Sequence, residues 1–133
     1  MVKMPKEVME ALSEELALKV VATINKKKIP NAIIVATLKA LDESTVVFAD
    51  LRLGKTRENL ETTKKFSVTV LKPNLESYQV KCSFQGFQET GELAFTMGEE
   101  VYKKVRLNPK AFAFGTVEEV YSTSLTNPGE KLA

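Results

Sequence analysis

The spacing of apolar residues changes along the chain from a helical period to a strand period. Val8, Leu12 and Leu16 recur every four residues and predict a first helix from Pro5 to about Leu16. A proline suits a first helical turn, because its missing N–H has no partner there. Later apolar runs, rich in β-branched residues and separated by short polar turns, predict strands. We expect strands over 18–24, 32–41, 45–49, 66–71, 77–89 and 111–121, and further helices starting near residue 56 and over 92–107.

The short connections between the first three predicted strands decide the fold class. A parallel crossover needs a dozen or more residues, and the turns around 25–30 and 42–44 are shorter than that. The sheet is therefore expected to be antiparallel, and six such strands most naturally close into a small barrel. The sequence predicts one mainly β domain over residues 1–133, a six-stranded antiparallel barrel with short flanking helices.

The strand over 77–89 shows the clearest alternation of apolar and polar positions. One face is expected to carry Tyr78, Val80, Cys82 and Phe84. Lys81 and Ser83 belong to the other face, and Gly86 predicts a bulge or bend. Because no lysine or arginine shares the face of Cys82, we expect a buried and unreactive thiol.

Composition excludes several kinds of chemistry. The chain has no histidine, which rules out Ser-His-Asp and Cys-His pairs and HExxH zinc sites. Its single cysteine rules out an internal disulfide and a multi-thiolate metal site, so no metal is expected. The net charge of +2 is too small to argue for a nucleic-acid or membrane partner. Without a signal-peptide pattern or a long apolar run, a cytoplasmic location is expected.

The segment Ala49–Thr56 ends in Gly-Lys-Thr, like the phosphate loop of nucleotide triphosphatases. It lacks the other glycines of that loop, and an antiparallel meander contradicts the parallel fold to which such loops belong. A weaker hypothesis remains. Lys55 and Thr56 lie at a predicted helix start, where free amides and the helix dipole favour a single phosphate group. The alternative is that Thr56 only caps the helix.

Two further features allow a function of another class. Lys26–Lys28 lie in a predicted hairpin turn, and four phenylalanines in the last two strands are candidates for base stacking: Phe84, Phe87, Phe112 and Phe114. Together they would suit a small barrel that binds nucleic acid. A solvated turn and a phenylalanine core explain the same residues, and the small net charge favours that interpretation.

Four stretches follow one another in an informative order. They are 12–24 leading into Pro30-Asn31, the second-strand segment 35–42, the segment 54–60 with its Lys-Thr-x-x-Asn pattern, and the segment 78–83, Tyr-Gln-Val-Lys-Cys-Ser. Together they resemble the FMN-binding split-barrel proteins of the pyridoxamine phosphate oxidase-like superfamily. The resemblance runs from about residue 8 to residue 121.

This resemblance implies a Greek-key barrel that forms a homodimer, with FMN in a groove at the subunit interface. Lys55 and Thr56 would hold the phosphate, and Asn59 would support that loop. The segment Val35, Ala36 and Thr37 would pass along the flavin and offer backbone hydrogen bonds. Lys81 and Ser83 would approach from the neighbouring strand. The expected function is that of an oxidoreductase or electron carrier, with no catalytic residue and no electron donor or acceptor assigned.

The departures from the family's pattern narrow these expectations. Cys82 stands where many relatives have glycine, and the arginine-bearing C-terminal motif that binds pyridoxamine phosphate has no counterpart. Oxidation of that substrate is therefore not predicted. Some relatives use a deazaflavin or haem instead. The missing histidine counts against histidine-ligated haem, whereas a deazaflavin remains an alternative to FMN.

Overall fold

The computed structural model describes residues 1–133 as one antiparallel sheet with three helices. In chain order the elements are α1 (Lys6–Ser13), β1 (Leu18–Ile24), β2 (Pro30–Ile34), β3 (Lys39–Asp42), β4 (Thr45–Asp50), α2 (Lys55–Thr63), β5 (Lys65–Leu71), β6 (Ser77–Gln88), α3 (Glu92–Val105) and β7 (Ala111–Ser122). The mainly β class and the three helices are confirmed. None of the helices has the length and apolar character needed to cross a membrane.

Seven strands form the sheet, in the order β2-β1-β5-β6-β7-β4-β3. Every neighbouring pair is antiparallel. The expectation of six strands in a closed barrel is wrong, because the predicted strand over 32–41 is divided into β2 and β3. These two strands form the opposite edges of the sheet and are joined by only four residues, 35–38. The sheet therefore curls until its edges approach one another at this connection, without a ladder between them.

The division of the predicted strand has a packing reason. Val35 and Leu38 are both buried, at 6% and 1% exposure. In a continuous strand, residues three apart point to opposite faces, so one of the two would face solvent. A turn at 36–37 lets both side chains enter the core. We call residues 35–38 the bend.

The interior of the curled sheet holds one large apolar cluster, to which β1, β5, β6 and β7 contribute alternate residues. The alternation predicted for β6 is confirmed, since Tyr78, Val80 and Cys82 are buried. The bulge predicted at Gly86 is confirmed too, because the register between β6 and β7 shifts between Phe84 and Gly86.

Two helix predictions need correction. α1 ends at Ser13, since the backbone of Glu14 is extended, and Leu16 is consequently 82% exposed. On α3 the buried face consists of Ala94, Met97 and Val101, which pack against β4 and β7 in a second apolar cluster. The spacing of apolar residues predicts that Phe95, Val101, Tyr102 and Val105 lie near one buried face, but of these only Val101 is buried and Phe95 is 69% exposed. Alanine and methionine, rather than the aromatic residues, accompany Val101 on the buried face.

Gly115 on β7 provides the clearest test of this packing. A Cβ atom there would lie 2.3 Å from Cζ of Phe66, a buried ring that packs edge-on against Phe48. We predict that Gly115→Ala lowers the free energy of unfolding by about 1–3 kcal/mol through overpacking. Urea denaturation followed by far-UV circular dichroism measures this.

The matched control is Gly98→Ala in α3, where an added Cβ meets nothing within 4 Å. Replacing a helical glycine by alanine is expected to raise stability by about 0.5–1 kcal/mol. An unchanged or increased stability of Gly115→Ala would contradict the described packing of Phe66.

Candidate functional site

The bend is exposed at Ala36 and hydrogen-bonded to the sheet through Val35 and Thr37. The amide of Val35 donates to the carbonyl of Lys19 on β1 at 2.9 Å, and Thr37 Oγ1 accepts from the amide of Ala49 on β4 at 3.0 Å. The bend is thereby tied to strands near both edges of the sheet. Ala36 between them is exposed. The peptide groups around Ala36 thus line an open surface, whereas the side chain of Val35 belongs to the core.

A groove of about 280 Å³ runs beside the bend. Its walls are the segments 33–37 and 49–53, with Val105 of α3 at one side. The lining is mostly apolar, and Arg52 is its only charged residue. The second wall leads directly into Gly54 and Lys55, the start of α2. The start of α2 therefore follows one wall of the apolar groove directly along the chain.

The start of α2 is built without a side-chain cap. Gly54 occupies the N-cap position with φ of 56°, and no side chain bonds to the free amides. The space beside its Cα is open, since an added Cβ would meet nothing within 4 Å. Unpaired amides and the positive end of the helix dipole attract an anion to such a position. Glycine is needed here for its backbone conformation and leaves the helix terminus accessible.

Lys55 and Thr56 differ in what they can offer at this terminus. Lys55 is exposed and lies 3.4 Å from Glu58, a surface pair that costs little to break. Thr56 is fully buried, and its Oγ1 accepts a hydrogen bond from Nδ2 of Asn31 at 3.0 Å. Lys55 is thus free to turn toward a ligand, whereas the Thr56 hydroxyl also anchors α2 to β2.

Asn59 continues this anchoring one turn later. Its Nδ2 donates to Oγ1 of Thr23 on β1 at 3.0 Å, and the residue is 4% exposed. Thr63, at the end of the helix, donates to the carbonyl of Ile24 at 2.8 Å. These bonds hold α2 across the ends of the first two strands. Asn59 consequently helps to hold α2 in place from within the fold.

A buried ion pair fixes the loop that precedes α2. The carboxylate of Asp50 pairs with Arg57 and accepts from the amide of Leu53 at 3.2 Å. The hydrogen bond to Asp50 raises the pKa of Arg57, whose guanidinium also lies 4.0 Å from the ring centre of Phe87. Arg57 of α2 therefore holds Asp50 at the start of this loop, and Asp50 in turn holds Leu53 near its end.

Lys81 and Ser83 lie elsewhere in this chain. Both belong to the outer face of β6, where Lys81 is opposite Ser67 and Glu119. The ammonium of Lys81 lies 5.0 Å from the ring centre of Tyr121 and lines a depression of about 680 Å³ between β1 and β7. Within one chain Val35, Ala36 and Thr37 line one groove, and Lys55 follows the end of its second wall by two residues. Lys81 and Ser83 face away from this groove.

Cys82 is inaccessible, as its position on β6 predicts. The side chain is buried, and desolvation followed by the charge of Glu118 raises the pKa of its thiol to about 12. At neutral pH the thiolate needed for nucleophilic or redox chemistry is therefore scarce. The cysteine fills core volume.

Sequence reasoning missed three contributors to this region. Asn31 anchors Thr56, Asp50 orders the loop, and Arg52 supplies a second exposed cation beside the groove. Signals for two of them exist in the sequence. Asn31 opens a strand directly after a proline, and Asp50 interrupts an apolar strand end. Neither signal identifies the partner, because the partners lie 25 and 7 residues away along the chain.

Comparison by sequence gives one informative relative. No family model matches the chain. An uncharacterized protein of Methanocaldococcus jannaschii is 29% identical over 125 residues, which cover 91% of this chain and 81% of that protein.

Comparison by structure shows the fold. HupZ of Group A Streptococcus, in a tagged form, superposes with a TM-score of 0.82 at 20% identity, covering 98% of this chain and 99% of that one. An FMN-binding protein of Syntrophomonas wolfei gives 0.77 at 17% identity, with 90% and 88% covered. An F420 reductase gives 0.62 at 12% identity, with 86% and 94% covered. The chain therefore has the split-barrel fold of the pyridoxamine 5′-phosphate oxidase-like proteins.

Proposed function

We propose that this split-barrel protein binds FMN and acts as an oxidoreductase or electron carrier. One observation carries the proposal: the segment that forms one wall of the apolar groove continues directly into the uncapped start of α2. FMN has the matching construction, an apolar ring system joined by a short chain to one phosphate. The likeness in fold to a protein described as FMN-binding supports the same choice.

The residues present suit each part of the cofactor. The free amides at Gly54 and the ammonium of Lys55 would hold the phosphate, with Thr56 and Asn59 keeping that terminus in place. Apolar walls would flank the ring, and the peptide groups of Val35, Ala36 and Thr37 would meet its polar edge. The bound flavin would supply the hydride or electron chemistry. The chain, which has no histidine, would bind it, orient it and exclude water.

The size of the groove supports a dimer. At about 280 Å³ it lies below the ~300–1,000 Å³ typical of a ligand pocket, so one chain would enclose only part of a flavin. Lys81 and Ser83, which face away from the groove of their own chain, are available to a neighbouring one. A homodimer in which each subunit completes the other's cofactor site accounts for both observations.

The surface suited to this contact is the outer face of β1 and β2. It carries no charged side chain and consists of Leu18, Val20, Ala22, Ile24, Ala32 and Ile34. Ile34 is 68% exposed and Leu18 is 44% exposed. An uncharged sheet face of this extent is typical of an interface, and it borders the depression lined by Lys81.

A deazaflavin is the second candidate, favoured by the likeness in fold to an F420 reductase. The two cofactors share the tricyclic ring and a phosphate, so the same groove and helix terminus would serve both. Titration of the flavin-free protein with each cofactor separates them. Tighter binding of the deazaflavin would replace FMN in the proposal while keeping the site.

We predict that Lys55→Ala weakens FMN binding about tenfold, because one charge-assisted contact to the phosphate is lost. Quenching of FMN fluorescence on titration measures the affinity. Lys55 is preferred to Thr56 for this test, since Thr56→Ala also removes the contact to Asn31.

Lys26→Ala is the matched control, because Lys26 is also an exposed lysine and lies in the β1–β2 hairpin. Its affinity for FMN is expected to equal that of the unaltered protein. Equal affinities of all three proteins would show that the phosphate does not bind at α2.

We predict that Ala22→Glu shifts the protein to a monomer and weakens FMN binding. The added carboxylate would lie in the centre of the uncharged face, and desolvating it in an interface is unfavourable. Light scattering coupled to size exclusion measures the mass. Leu125→Glu is the control, since Leu125 is 86% exposed in the C-terminal segment. A monomeric unaltered protein, or a dimer unaffected by Ala22→Glu, would contradict the proposed interface.

A further inference from the structure

Lys19 is a lysine inside the curled sheet. The burial of β1 alternates, and Lys19 lies on the same inward face as Val21 and Thr23. It is 6% exposed, as buried as many residues of the apolar core. Burying an ammonium group without compensation is costly, and lysine is almost never buried unless it is paired. A buried lysine is therefore expected to have an acidic partner.

No acidic side chain compensates Lys19. Two carboxylates on this side of the molecule pair with other lysines: Glu100 lies 3.0 Å from Lys39, and Glu15 lies 3.6 Å from Lys104. Burial lowers the pKa of Lys19, and the charge of Lys104 lowers it further. Lys19 thus has a mostly buried side chain, and its ammonium group lies near a like charge.

Lys19 borders a cavity of about 430 Å³ between the bend, α1 and α3. Eight of its fifteen lining residues are hydrophobic, among them Phe48 and Met97. The charged residues of the lining are four lysines and one glutamate, Lys19, Lys39, Lys103, Lys104 and Glu100. The volume falls within the range of small-ligand pockets, and the lining combines an apolar floor with excess positive charge.

This cavity is distinct from the groove beside the bend. The two share Ala36 and Thr37, but Lys19 and the lysines of α3 line only the cavity, whereas Arg52 and the loop before α2 line only the groove. The bend forms the partition between them. A ligand in the cavity would contact the side of the bend away from Arg52.

We propose that this cavity binds a small organic anion, a carboxylate or phosphate monoester on a compact apolar body, with its anionic group on the ammonium of Lys19. The apolar body would pack against Phe48 and Met97, and Lys103 and Lys104 would draw the anion inward. The missing partner of Lys19 is thereby supplied by the ligand. The site rests on the cavity and not on the flavin proposal.

Phenyl phosphate is a suitable probe, added to flavin-free protein with ¹³C-labelled lysine. The Cε resonance of Lys19, assigned from the backbone, is expected to shift saturably, because an anion on the ammonium changes its environment. Phenol, which has the same ring without charge, is expected to leave it unmoved. Failure of phenyl phosphate to shift this resonance would overturn the proposal without any variant being made.

Two variants test the charge itself. Lys19→Met removes the ammonium at similar length and is expected to weaken phenyl phosphate binding at least tenfold, read from the backbone amides of 36–38. Lys19→Arg keeps the charge and is expected to retain binding. Lys26→Met, in the exposed hairpin, is the control. Equal affinity of Lys19→Met and the unaltered protein would overturn the site.

Adding FMN distinguishes this proposal from the flavin site. If the two sites are separate, the Lys19 resonance keeps its response to phenyl phosphate when FMN is bound. If FMN displaces phenyl phosphate and itself shifts the Lys19 resonance, the cavity belongs to the flavin site and the separate anion site is refuted. If FMN does not bind at all while phenyl phosphate does, the flavin proposal fails and the anion site stands.

Discussion

The need to bury both Val35 and Leu38 shapes the rest of this molecule. A straight strand places residues three apart on opposite faces, so the chain turns between them, and one predicted strand becomes the two edges of a seven-stranded sheet. Hydrogen bonds to Lys19 and Ala49 fix that turn. The same turn lines the apolar groove on one side and the cationic cavity on the other. The packing of two aliphatic residues therefore helps to form both candidate binding sites.

The second constraint is the attachment of α2. The side chains of Thr56 and Asn59 form hydrogen bonds with Asn31 and Thr23. These bonds hold the start of the helix in place and leave Lys55 and the amides at Gly54 accessible. A residue expected to bind a ligand thus does part of its work by positioning the element that binds. Lys81 and Ser83 lie outside this arrangement, on the outer face of β6. Lys81 lines the depression that the uncharged outer face of β1 borders, and the homodimer proposal connects it to the groove.

Much of the fold can be predicted from the sequence, because strand alternation, bulges and helix starts depend on residues close together along the chain. The period-two alternation of β6, the bulge at Gly86 and the helix start at Lys55 follow from neighbours along the chain, and the structure contains all three. The bend does not follow from neighbours along the chain, because residues 32–41 form one mostly apolar run. Only the burial of both Val35 and Leu38 in the core divides this run into two strands. The inward position of Lys19 follows from its alternation with Val21 along β1. A lysine amid β-branched residues is easily taken for a solvent-facing position.

We propose above all that a flavin binds between the bend and the start of α2. Backbone amide resonances of the flavin-free protein, followed while FMN is added, test it most directly, because they locate binding without assuming any activity. If a flavin binds there, the largest shifts occur at residues 34–37 and 54–56, and the interior of β5 is little affected. Saturable shifts confined to another surface, such as the depression between α3 and β7, or no shift at any amide, would contradict it.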